Sequence, residues 1–225
     1  MVFTQNHDQV GNRPIGDRLD RAAGLEGARA AAALVLLSPF TPMLWMGEEY
    51  AEPAPFQYFV SHNDAALIRA VQQGRAEEFA DFQTPGGVPD PQDEATFLRS
   101  GLAWNLRDRG QHAQTLAYYA ELLRLRRALD IPGRSGSVVA SAQAAIVRLE
   151  YPTHPRVLII ANTGDAPGSV DPASGDPEAF DVLLASNDAR WGGVDSPPHR
   201  ESPLSGAITI GAKTALVLRA AQESQ

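Results

Sequence analysis

Two places in this sequence bring together side chains that could do chemistry. The first is Asn6-His7-Asp8-Gln9-Val10-Gly11-Asn12, which follows the short apolar start Val2-Phe3-Thr4-Gln5. An imidazole next to a carboxylate can hold a polar substrate, orient it, or handle a proton. The second is Glu48-Glu49, directly after the apolar run Pro42-Met43-Leu44-Trp45-Met46 and Gly47. Adjacent side chains on an extended chain point to opposite faces, so these two carboxylates do not read as an acid/base couple. Glu48 is expected to support the site through hydrogen bonds while its neighbour is solvated. By spacing alone the His7-Asp8 pair has a second reading, in which Asn, Asp and Gly build a turn and Asp8 satisfies loop donors.

The elements that must position these groups can be read around them. Val2 onward reads as a buried strand whose C-terminal end opens into the polar loop. Leu25 to Leu37 reads as a helix, with apolar residues in helical steps and Ser38-Pro39 as its stop. Pro42 to Met46, apolar throughout, reads as a strand buried on both faces, as in a parallel sheet. Strand, helix, strand makes a βαβ unit, with polar residues collecting after each strand, as at the reactive face of a parallel α/β barrel. A long irregular stretch follows. Phe56, Tyr58 and Phe59 cluster there beside His62 and Asn63. Such rings either stack on a sugar or staple a loop to the domain. Helices are expected over Asp64–Phe79 and Gln114–Leu129, and Asp130-Ile131-Pro132-Gly133 marks a domain boundary.

Beyond Gly133 the texture changes. Ser137–Ser141, Ala145–Tyr151, Val157–Ala161, Phe180–Leu184, Ala207–Ile210 and Thr214–Leu218 are strand-like, separated by turn residues. That pattern suggests an antiparallel sandwich.

Composition narrows the functions. The chain has 225 residues, 44% of them hydrophobic, enough for a real core. The net charge of -8 with no basic run argues against nucleic-acid binding. The absence of Cys excludes disulfides and thiol chemistry, and five scattered His with no close spacing suggest no metal site. No cofactor is implied. The longest apolar stretch is too short to span a membrane, and no signal peptide is evident, so a cytoplasmic protein is expected. Met1 abuts the first strand, which reads as a chain starting within a fold.

The run Phe3-Thr4-Gln5-Asn6-His7-Asp8-Gln9-Val10-Gly11-Asn12-Arg13 resembles the malto-oligosyltrehalose trehalohydrolase family, within the alpha-amylase superfamily of glycoside hydrolases. Further blocks resemble the same family: Leu44 to Tyr50, Phe56 to His62, Gly74-Arg75 with Glu78-Phe79, Val88 to Asp93, and Ser186-Asn187-Asp188 with Trp191-Gly192-Gly193. The resemblance implies a retaining glycosidase that releases trehalose from malto-oligosyltrehalose by a two-carboxylate route. Asp8 matches the third carboxylate, which stabilises the transition state, and His7 matches the His that binds hydroxyls in the same subsite. Asn6, Gln5, Phe56 and Tyr58 are further substrate-binding candidates.

The blocks that carry the nucleophile and the acid/base in that family do not occur in this sequence. The expected fold is therefore α/β plus β. The C-terminal remnant of a (β/α)8 barrel occupies 1–132, and an antiparallel β-sandwich occupies 133–225. Alone, such a chain is expected to be inactive and to expose sheet edges. Its expected partners are a malto-oligosaccharide and the rest of the barrel. The alternative is a non-catalytic malto-oligosaccharide-binding or structural accessory module.

Overall fold

The computed structural model describes residues 1–82, 87–141, 145–173, 179–193 and 203–221, with the backbone alone at 139–141. Five α-helices precede a mostly antiparallel β region: α1 His7–Gly11, α2 Leu19–Leu36, α3 Ala65–Glu78, α4 Glu94–Arg99 and α5 Gly110–Ala128. The strands are β1 Ser137–Ser141, β2 Ile146–Tyr151, β3 Val157–Asn162, β4 Gly168–Val170, β5 Phe180–Ala185, β6 Ile208–Ile210 and β7 Thr214–Ala220. Five of them form one antiparallel sheet in the order β1-β2-β3-β7-β5, and β4 pairs with β6 in a two-stranded ribbon.

β3 lies mid-sheet and is buried at every position, as an unbroken Val-Leu-Ile-Ile-Ala run requires. Its two faces serve two cores. Leu158 and Ile160 join Phe180, Leu216 and Leu218 beneath the β4–β6 ribbon. Val157, Ile159 and Ala161 join Leu36 of α2 and Tyr118 and Leu122 of α5. A hydrogen bond reinforces this second core, because the buried Tyr151 hydroxyl donates to the Leu37 carbonyl at 2.6 Å. Helices and sheet therefore share one apolar layer across Gly133.

The first fifty residues depart from the expected βαβ unit. Val2 and Pro42 do pair in parallel on either side of α2, but as a single isolated bridge. Leu44 and Met46 are 36% and 39% exposed, so the Pro42–Met46 run is not buried on both faces. A parallel pair is covered only when further strands flank it, and one bridge cannot bury alternate side chains on both sides. The helix between Val2 and Pro42 matches the expectation in substance. α2 begins at Leu19, but Gly24 (φ 78°, ψ 161°) breaks it, so the continuous part starts where the Ala-Leu periodicity does. α4 and β4 have no counterpart among the elements expected from sequence. Each is short, and short elements give little periodicity.

Candidate active site

The His7-Asp8 pair sits in a helical turn, and the expected strand tip is absent. Asn6 takes extended backbone angles, and its Oδ1 accepts from the Asp8 and Gln9 amides at 2.9 and 3.1 Å. This is an N-cap, and it satisfies two amides that a helix start leaves without partners. The signal is present in the sequence: Asn-x-x-Gln at 6–9 has the spacing of a capping box. His7 and Asp8 occupy the first turn and remain 66% and 69% exposed. His7 Nε2 stands 3.1 Å from Asp8 Oδ1. The imidazole also lies 6.0 Å, centroid to centroid, from the Trp45 ring.

The residues just before the turn belong to a buried polar cluster. Gln5 is 6% exposed and uses both ends of its amide internally. Its Oε1 accepts from the Leu19 amide at 3.0 Å, and its Nε2 donates to Glu48 Oε2 at 3.2 Å. Thr4 Oγ1 donates to the same oxygen at 3.3 Å. Burial pushes the Glu48 carboxyl up to about 7, against the pull of the hydrogen bonds from Gln5 and Thr4. Glu48 stands at the start of a 3-10 turn (Glu48–Tyr50), and Glu49, expected to be solvated, is half-buried beside it.

The far end of the turn is held by a residue that sequence reasoning does not single out as functional. Arg75, buried in α3, donates from Nη2 to the Gly11 carbonyl at 3.0 Å. Its Nη1 donates to Glu78 at 3.0 Å. Its guanidinium lies 4.9 Å from the Tyr58 ring centroid and 4.5 Å from that of Phe79. The Arg75–Gly11 contact spans 64 residues, so no local periodicity could have announced it.

The two aromatic candidates are separated by these contacts. Phe56 is half-buried between Trp45 (5.0 Å, edge-on) and Phe59 (5.7 Å), with Phe97 continuing the stack. Tyr58 is 37% exposed and covers Arg75. Of the candidates, His7 and Asp8 offer polar groups to solvent, Asn6 caps their turn, Gln5 is tied to Leu19 and Glu48, and Phe56 belongs to an aromatic staple. Such a turn can bind and orient hydroxyl groups, with Asp8 as the acceptor. Among the described residues no group of three or more His, Asp or Glu could hold a metal ion. None of their helices is long and apolar enough to cross a membrane.

No family model matches the chain. Curated relatives do. It is 42% identical over 211 residues to malto-oligosyltrehalose trehalohydrolase of Arthrobacter ramosus, covering 93% of this chain and 35% of the relative. It is 41% identical over 193 residues to the Brevibacterium helvolum protein of the same name, covering 84% and 31%. With the Deinococcus radiodurans one it shares 52% over 127 residues, 55% of this chain and 21% of that protein. The resemblance read from the Asn6-His7-Asp8 block is thereby borne out, and the chain spans about a third of the length of the curated relatives it matches. Among solved structures, a Salmonella typhimurium protein assigned as an alpha amylase is 33% identical with a TM-score of 0.73. The match covers 98% of this chain and 35% of that one. Trehalose-6-phosphate hydrolase of Bacillus licheniformis, at 17% identity and a TM-score of 0.59, covers 98% of this chain and 43% of its own and shares the fold alone.

Proposed function

We propose that this chain is the closing part of a retaining glycoside hydrolase that releases trehalose from malto-oligosyltrehalose. In this reading residues 1–132 are the end of a (β/α)8 barrel and 133–225 a β-sandwich. Asp8 stabilises the oxocarbenium-like transition state by binding ring hydroxyls, and His7 binds hydroxyls beside it. Asn6 caps the turn, Gln5 ties its start to Glu48, and Tyr58 flanks it through Arg75. The observation that carries the reading is the exposed His7–Asp8 pair on a turn capped by Asn6, directly after Gln5, whose amide is tied to the buried Glu48. Similarity to trehalohydrolases over 93% of the chain supports it.

A retaining route also needs a nucleophile and an acid/base. The resemblance assigns both to blocks outside these 225 residues, and the carboxylate tied to Gln5, Glu48, is 8% exposed. The 225-residue chain is therefore inactive by itself, and the barrel segment carrying those two groups is its partner. The test is trehalose release from malto-oligosyltrehalose by the folded chain, alone and mixed with the preceding portion of a full-length relative. The reading expects no release alone and release on mixing that Asp8→Ala abolishes. Release by the chain alone, abolished by Asp8→Ala, would overturn it.

A further inference from the structure

A cleft of about 480 Å³ opens where residues 15–21, the 53–57 segment and the 87–89 loop meet. That is within the size range of small-ligand sites. It shares no lining residue with the His7–Asp8 turn. Three guanidinium groups reach it from three places: Arg18 just ahead of α2, Arg21 in its first turn, and Arg99 at the end of α4.

Arg18 is structural. It is 2% exposed and donates to the carbonyls of Ala54 and Met46 at 2.7 Å each, with the Glu52 charge nearby opposing the effect of burial. The other two are exposed, and among the described residues neither forms an ion pair. Arg99 donates from Nε to Gln57 Oε1 at 3.2 Å and from Nη2 to Thr96 Oγ1 at 3.1 Å, and both acceptors are neutral. Among the described residues the Arg21 guanidinium makes no hydrogen bond or ion pair, although the Asp20 charge beside it acts on it at longer range. Asp17 is the one carboxylate in the lining. Gln57 Nε2 makes only a long 3.5 Å contact with the Ile15 carbonyl and so has donor capacity left. The remaining walls are apolar, with Ile15, Pro53, Pro55 and Pro89 among them. In a protein of net charge -8, this cleft gathers cations against low-dielectric walls, which focus their field on whatever enters.

We propose that this cleft binds a small molecule through a phosphate or carboxylate group, held by Arg21 and Arg99 with Gln57 as a neutral donor. A guanidinium fork matches either oxyanion with two parallel hydrogen bonds. The site stands apart from the glycosidase reading and survives if that reading fails.

The test is calorimetric titration of the 225-residue chain with inorganic phosphate and, separately, with succinate, at neutral pH and low salt. Arg21→Gln and Arg99→Gln are measured beside it, and Arg69→Gln, an exposed residue of α3 outside the cleft, is the control. The expected result is saturable binding of at least one probe, weakened tenfold or more by Arg21→Gln and by Arg99→Gln and unchanged by Arg69→Gln. Phosphate without succinate assigns a phosphoryl ligand, and the reverse a carboxylate. No saturable binding of either probe overturns the proposal, as does an equal loss in all three variants. Both cleft arginines are exposed, so their replacement leaves the fold intact, which a thermal melt of each variant checks.

Discussion

Arg75 Nη2 donates to the Gly11 carbonyl at 3.0 Å, joining α3 to the last residue of the turn that carries His7 and Asp8. The two are 64 residues apart in sequence. The guanidinium is flanked by the rings of Tyr58 and Phe79, so the aromatic stretch and the helix after it act on the site through one side chain. Exposed Leu67 shows that α3 is not seated by an apolar stripe, and Arg75 with Phe79 takes that role.

Replacing Arg75 therefore tests how far the turn depends on α3. Arg75→Met leaves a buried carbonyl without its donor and removes the two ring contacts. It is expected to destabilise the protein by about 3 kcal/mol. Arg75→Lys keeps the charge but not the planar fork, and about half the loss is expected to remain. Urea denaturation measures both. The His7 ring resonances should shift in both variants, and unchanged resonances would separate the turn from α3.

Glu48 gives a pH dependence with a definite sign. Its folded carboxyl titrates at about 7 instead of the ordinary 4.5, chiefly because it is buried. Between these values the folded protein holds a proton that the unfolded chain releases. Its contribution to stability is complete at low pH, falls as pH rises from 4.5, and is lost by 7, a span of about 3 kcal/mol. Burial raises Asp20 as well, so it acts in the same direction. Glu48→Gln should flatten most of that fall and leave the variant more stable than the parent at pH 8. Chemical denaturation at pH 5, 6 and 8 checks this, and an unchanged slope in the variant would exclude Glu48 as its source.

The hydroxyl of Tyr151 tests whether helices and sheet unfold together. It donates to the Leu37 carbonyl across the shared core, and burial pushes its pKa up to about 12. Tyr151→Phe removes one buried hydrogen bond and leaves a carbonyl unpaired, an expected loss of about 1–2 kcal/mol. Because Leu36, Tyr118 and Ile159 share one core, the variant should still unfold in a single transition. Two transitions, with only the later one shifted, would show that the layers are independent.

What the sequence makes legible follows from what its patterns can encode. α5 and the strands Val157–Asn162 and Thr214–Ala220 are readable because a long apolar stripe and the unbroken apolar runs Val157–Ala161 and Ala215–Leu218 report burial directly. α3 is readable from Asp64, whose carboxylate caps the Ala66 and Leu67 amides. β4 is not, since Gly-Ser-Val at 168–170 carries no pattern and pairs only because β6 lies opposite. At the site, the His7-Asp8 chemistry is visible while its geometry is not, because a five-residue helix shows no period. Gln5 and Asn6 read as ligand-facing; Asn6 instead caps the turn, which its Asn-x-x-Gln spacing signals, and Gln5 is engaged inward, which only its partners Glu48 and Leu19 reveal.

Two glycines give opposite predictions from one substitution. Gly16 has φ +73°, and a Cβ there would overlap the backbone carbonyl of Phe56, whose amide donates to the Gly16 carbonyl at 2.9 Å. Gly16→Ala must therefore both strain the backbone and push apart two loops that line the Arg21–Arg99 cleft. The expected cost is about 3 kcal/mol. Gly74 lies inside α3, and a methyl group there would meet nothing within 4 Å. Gly74→Ala relieves the entropy that glycine loses in a helix and should stabilise by about 0.5–1 kcal/mol. Thermal melts of the two variants should move in opposite directions from the parent. If Gly16→Ala melts with the parent, the contact between the 13–19 loop and Phe56 does not hold in solution, and the cleft it borders would have to be rebuilt.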